Sequence, residues 1–104
     1  MARLAAADLT SSVNTTVYTV PSNQRATVTL SLCNRNGTVA ANVRVAVCSG
    51  SGPNNSDYIE YDFPLPPKRS LERSGIILTS TQYLVVYSSQ ANVSAVVWGV
   101  EEQV

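Results

Sequence analysis

A chain of 104 residues, 44% hydrophobic and 13% charged, fits one domain and leaves no room for a second core. Seven basic and seven acidic residues cancel, so there is no electrostatic footprint for nucleic acid or an anionic membrane, and little colloidal repulsion. Such a surface suits a protein that works assembled; the other reading is that Ser, Thr and Asn keep it soluble.

Residues 1–12 read as a polar, Ala-rich N-terminal arm ending in Thr10-Ser11-Ser12, with Leu4 and Leu9 its only large apolar groups. Leu4 to Ala7 is too short an apolar run for a secretory signal, and no segment approaches the roughly 18 apolar residues that cross a membrane. Synthesis in a cytoplasm is therefore expected. Residues 13–104 are expected to form a single β-sandwich domain. Its Thr-rich first strand runs from Val13 to Val20 and closes at Pro21-Ser22-Asn23-Gln24, where proline cannot donate to a ladder.

From Arg25 to Cys48 small apolar residues fall on every second position on both sides of Asn36-Gly37. Ala26, Val28, Leu30 and Leu32 precede the pair; Ala41, Val43, Val45 and Val47 follow it. With Asn-Gly as a two-residue turn, this predicts a hairpin in which Leu32 faces Ala41, Leu30 faces Val43 and Val28 faces Val45. That register sets Cys33 opposite Ala40 and Cys48 opposite Arg25, too far apart to bond. Free thiols are expected, as a reducing cytoplasm would leave them; only a longer connection with a shifted register would let the two meet. Two cysteines without histidine make no zinc site.

Ser49 to Asp57 is the longest breaker run and reads as an exposed loop. Its Gly50 and Gly52 lack the helix and Lys-Ser/Thr of a phosphate loop. Tyr58 to Phe63 alternates again, with Ile59, Tyr61 and Phe63 on one face and Tyr58, Glu60 and Asp62 on the other, before Pro64, Pro66 and Pro67 end the strand. After the basic corner Lys68-Arg69 come Gly75 to Leu78, Tyr83 to Ser88 and Val93 to Val100. The last two strands are apolar on both phases. Either they lie centrally with one face covered by the arm, or that face meets another subunit. No helical periodicity of useful length appears. Seven or eight short strands with breakers at roughly 8- to 12-residue spacing predict an all-β antiparallel sandwich, jelly-roll-like.

Catalytic chemistry is sparse. Without histidine there is no Ser-His or Cys-His pair, and the common general base near neutral pH is missing. Asp57, Glu60 and Asp62 are the best acidic cluster; Glu60 and Asp62 on one strand face would fall near the carboxylate spacing of glycosidases. Such pairs are commonplace on solvated faces, and no Asp-rich loop supplies the oxygens that calcium requires. Among the aromatic residues only Tyr58 reads as exposed, and few basic residues accompany the rings, which argues against a sugar or base platform. Asn-x-Ser/Thr triplets at Asn14, Asn36, Asn54 and Asn92 read as turn and strand-edge residues rather than glycan acceptors. The expectation is no enzyme, no cofactor and no metal.

Tyr18-Thr19-Val20-Pro21, Ala26-Thr27-Val28, Cys33-Asn34-Arg35, Val43 to Val47, Tyr58 through Tyr61-Asp62, Leu78, Val85-Val86-Tyr87, Asn92-Val93 and Trp98-Gly99 follow one another in a specific order. In that order and spacing they resemble small β-sandwich virion proteins of tailed bacteriophages. The resemblance runs from about Tyr18 to Glu101; the basic Pro66-Pro67-Lys68-Arg69 corner and the arm depart from it. It implies a non-enzymatic structural part of a phage particle. One form is a capsid cement or decoration protein, often trimeric, that binds the major capsid protein over subunit junctions and reinforces the shell. The alternative is a tail fibre or baseplate component that touches the host surface as a receptor- or carbohydrate-binding module.

A near-neutral chain, apolar on both phases of its final strands and without a fibrous segment, favours cement, located in the virion and assembled in the host cytoplasm. Copies of the chain and the capsid protein are then the partners, with no nucleic acid and no membrane. Leu4 and Leu9 would lie along an adjacent subunit, and Arg3, Tyr58 and Arg69 would set the register of that contact.

Overall fold

Eight strands carry the chain: β1 (Ala2–Asp8), β2 (Thr15–Thr19), β3 (Gln24–Asn34), β4 (Ala41–Cys48), β5 (Tyr58–Leu65), β6 (Ser70–Leu78), β7 (Tyr83–Ser88) and β8 (Val93–Gln103). A 3-10 turn at Asn55–Asp57 precedes β5. The structure is a computed structural model and describes residues 2–50 and 52–104. Two antiparallel sheets stack as an all-β sandwich, the first in the order β1-β8-β3-β6 and the second β2-β7-β4-β5. Alternation decides what lies between them. Val28, Leu30 and Leu32 of β3 and Val93, Ala95 and Val97 of β8 point inward from the first sheet, and Val43, Val45, Leu84 and Val86 from the second. Each fully buried Val or Leu contributes about 1.5 to 3 kcal/mol relative to exposure, so this seam dominates stability.

The expected hairpin between β3 and β4 does not form. β3 pairs with β8 and β6, whereas β4 pairs with β7 and β5 in the opposite sheet. A type I′ turn needs positive φ at both central residues, and neither Asn36 nor Gly37 has it. The six residues 35–40 instead cross from one sheet to the other. Both strands keep their apolar phase in the core, so the pattern located the inward face correctly while the pairing partner was wrong.

Asn34 governs this crossing. It is fully buried, and its Nδ2 donates to the carbonyls of Val39 and Leu65, each at 3.0 Å. Its Oδ1 accepts from the Asn36 amide at 3.0 Å and from Asn36 Nδ2 at 2.9 Å. Asn36 Nδ2 also reaches the Ala91 carbonyl, and Asn92 Nδ2 donates to Asn36 Oδ1. The main chain joins in, with the Asn34 amide on the Arg69 carbonyl and the Lys68 amide on the Asn34 carbonyl. Three connections, β3–β4, β5–β6 and β7–β8, are thereby tied at one end of the sandwich.

The expected arm over 1–12 is also corrected. Residues 2–8 form β1, paired with β8 from Ala2 opposite Gly99 to Asp8 opposite Ser94, and Leu9 is 3% exposed in the core with Leu4 packed against it. Alanine's weak strand propensity hid this strand, but small side chains let it close the sandwich edge. β7 and β8 are central, but without the cover expected from the arm. β1 lies beside β8 rather than over it, so the outward phase of β8 stays uncovered.

Every edge strand carries a bulge, and the extra residue always sits on the edge strand. β1 inserts Leu4 between the pairs Arg3–Trp98 and Ala5–Val97, and β2 inserts Val17 between Thr16–Val85 and Tyr18–Leu84. β6 bulges at Ser74-Gly75, where Gly75 takes φ +70°, and β5 around Asp62 at φ +51°. Bulged edges do not present a straight ladder of free N–H and C=O groups, which discourages pairing with a second sheet.

Tyr18 joins the two sheets by donating its hydroxyl to Glu101 of β8. Burial first, and then Glu101, push the phenol above its ordinary range. Tyr18→Phe is expected to cost about 1 to 2 kcal/mol at neutral pH in urea unfolding. Because the folded pKa exceeds the unfolded value near 10, the contribution is complete below about pH 10 and fades as pH rises through the folded value. The gap between the wild type and the variant should therefore narrow at about pH 11; an undiminished gap would contradict the linkage.

Candidate interaction surfaces

The three carboxylates of the expected acidic cluster go separate ways. Glu60 pairs with Arg73 of β6 at 3.0 Å, Asp62 with Arg44 of β4 at 2.6 Å, and Asp57 accepts from the Asn54 amide at 2.7 Å. The bulge breaks the shared strand face on which Glu60 and Asp62 were expected. Among the described residues no three His, Cys, Asp or Glu side chains gather where a metal could be held.

Both thiols are free. Cys33 lies half-buried opposite Ser70 and Ser94, and Cys48 is buried with Ala46 and Val85 in a small cluster flanked by Tyr58 and Tyr83. The loop after β4 is exposed at Ser49, Gly50 and residues 54–56, as expected, while Gly50 and Gly52 approach this cluster. Tyr83 donates its hydroxyl to the Gly50 carbonyl, and Gly52 lies so close that a Cβ there would meet Cys48 Sγ at 3.2 Å. Burial, followed by the nearby Asp57, raises the Cys48 pKa, so this thiol is packing rather than a nucleophile.

On the outer face of the second sheet, the Arg44 guanidinium sits between two rings, 4.3 Å from the Tyr61 centroid and 4.4 Å from that of Tyr87. Asp62 holds it by two hydrogen bonds, Nε to Oδ1 at 2.6 Å and Nη2 to Oδ2 at 3.3 Å. Tyr58 meets Tyr61 edge to face at 5.0 Å. In a regular strand, Tyr61 and Asp62 would point to opposite faces; the bulge brings both to the same guanidinium. The result is a rigid, charge-neutral patch whose central ring, Tyr61, stays 59% exposed.

The outer face of the first sheet is different. Ile77, Thr27 and Val100 form one row across β6, β3 and β8, and Thr29, Trp98 and Arg3 the next across β3, β8 and β1. Ile77 is 60% and Val100 46% exposed. Ion pairs flank the stripe, Arg25 with Glu102 at one end and Arg35 with Asp8 at the other. Beside Asp8 and Arg35, a shallow depression of about 400 Å³ is floored by Ala6, Ala7, Ala95 and Val96. No buried polar side chain points into it.

The expected contact residues do not converge. Leu9 belongs to the core and Leu4 is half-buried against it, so neither stands on a free arm. Arg3 is exposed beside Trp98, Tyr58 lies half-buried on the other sheet, and Arg69 is exposed at the β5–β6 corner. Arg44, Tyr61 and Tyr87 were missed. Arg44 and Tyr87 do stand on the outward phase of their strands, but the reversal at Asp62 that delivers Tyr61 to them has no signature in the alternation. Compared with known proteins, the chain matches no family model, no curated protein and no solved structure.

Proposed function

We propose that the chain is a structural protein of a tailed-phage virion, of the cement type, which binds copies of itself and the major capsid protein at subunit junctions. The sequence resemblance from Tyr18 to Glu101 supports this reading. The strand order β1-β8-β3-β6 over β2-β7-β4-β5 supports the jelly-roll form of the sandwich. The observation that carries the proposal is the outward apolar stripe of exposed Ile77 and Val100 with half-buried Val96 and Trp98, on a molecule whose four edges are all bulged against strand addition. Neighbours then meet it by a face. Each Å² of apolar surface removed from water contributes about 25 cal/mol, offset by the cost of association.

Deleting residues 1–12 would remove β1 and Leu9 from the fold, and so would test stability rather than contact. The cleaner variant is Ile77→Lys with Val100→Lys, which sets two like charges on either side of Thr27. Particle occupancy, read by gel densitometry of purified virions, is expected to fall at least about tenfold, a penalty of about 1.4 kcal/mol or more. The melting temperature should move by no more than about 4 °C, because both side chains are exposed. Undiminished occupancy would remove this face from the proposal, and an image of the particle with the chain on the tail would replace cement with the tail alternative.

A further inference from the structure

We infer that the Tyr61–Arg44–Asp62 patch is a binding site for neutral glycans, with the Tyr61 ring as the stacking platform. The inference does not rest on the virion reading; it follows from the build of the patch. First, the platform is held in advance. Arg44 packs on Tyr61 at 4.3 Å and on Tyr87 at 4.4 Å, and Tyr58 braces Tyr61 at 85° between ring planes. Little side-chain freedom remains to be lost on binding.

Second, the hydrogen-bonding groups beside the ring are of both kinds. Asp62 uses two of the five guanidinium N–H groups, on Nε and Nη2; among the described residues, Nη1 makes no hydrogen bond. The Asp62 carboxylate keeps further lone pairs, and its side chain is 43% exposed. A sugar ring needs this combination, because each hydroxyl both donates and accepts while the C–H face of the ring packs on an aromatic surface.

Third, the patch is electrically neutral. Arg44 is matched by Asp62 and the adjacent Glu60 by Arg73. A phosphate or a nucleic-acid backbone would find no unpaired positive charge to neutralise, so an uncharged ligand fits better than an anionic one.

The test is a titration of the isotopically labelled, full-length chain with neutral trisaccharides of glucose, of galactose and of N-acetylglucosamine, followed by amide chemical shifts. At least one is expected to shift Arg44, Tyr61, Asp62 and Tyr87 together, with millimolar affinity. Tyr61→Ala should weaken that response at least about tenfold while the rest of the spectrum keeps its dispersion. Tyr61→Phe, which retains the ring, should keep it, and this variant answers any objection that alanine perturbs the edge strand. No response to any of the three sugars, shifts that map elsewhere, or an unchanged response in Tyr61→Ala would each overturn the inference. So would a protein partner that protects Tyr61 from solvent while no sugar competes with it.

Discussion

Replacing Asn34 by alanine is expected to cost about 3 to 4 kcal/mol and to lower the melting temperature by roughly 12 to 30 °C. The cost has little to do with volume. Asn34 supplies both hydrogen bonds that bring the carbonyls of Val39 and Leu65 together, and it receives both donors of Asn36. Truncation orphans the Leu65 carbonyl in a fully buried contact and leaves the Val39 carbonyl and the Asn36 donors in part-buried ones; an orphaned buried group costs about 1 to 3 kcal/mol, and the part-buried partners add less. Because the Asn34 main chain also bonds to Arg69 and Lys68, loosening should spread to the β5–β6 corner. Hydrogen exchange would show this as lost protection at Arg35, Asn36 and Lys68 before the core strands open. Asn36→Ala is the comparison. Its side chain bridges the more exposed contacts to Ala91 and Asn92, so it should cost about 1 kcal/mol. If the two variants lost the same stability in urea, the buried amide would not be what ties the three connections together.

The same asparagines explain what could be read in advance and what could not. The inward phases of β3, β4, β7 and β8 were legible because burial on one face leaves a period of two that survives any choice of partner. Partner choice was not legible. Asn36-Gly37 has the composition of a hairpin turn, and only the burial of Asn34 two residues earlier shows that the chain is turning into the other sheet. Local turn chemistry competed with a tertiary hydrogen-bond network and lost. β1 was missed for a related reason. Alanines carry little strand signal by themselves, and their value as a closing edge depends on β8 having a free side. At the candidate sites, the apolar outward phase of β8 was visible in the residues themselves, whereas the Tyr61 patch depends on a bulge whose register shift no pattern of polar and apolar residues encodes.

Gly99→Ala is expected to be the most damaging single-methyl change in the chain, costing about 3 kcal/mol or more. Gly99 lies in the middle of central strand β8 between Ala2 of β1 and Val28 of β3. A Cβ at this position would fall 2.4 Å from the Thr27 carbonyl oxygen, 2.9 Å from Val28 Cγ1 and 3.0 Å from Val28 Cα. Two of those three atoms are main chain, so no rotamer change relieves the contact; β3 and β8 would have to separate where they form the spine of the first sheet. The clash can be assigned by a second variant. If Val28 Cγ1 were the obstacle, Val28→Ala would restore stability to Gly99→Ala. The carbonyl predicts no rescue, with the double variant at least as unstable as Gly99→Ala alone, since Val28 is itself a core residue. Gly37→Ala serves as the reference, because nothing lies within 4 Å of a Cβ there, and it should change stability by no more than about 0.5 kcal/mol. Equal denaturation midpoints for Gly37→Ala and Gly99→Ala would mean that the close approach of β3 to β8 is not a constraint on this fold.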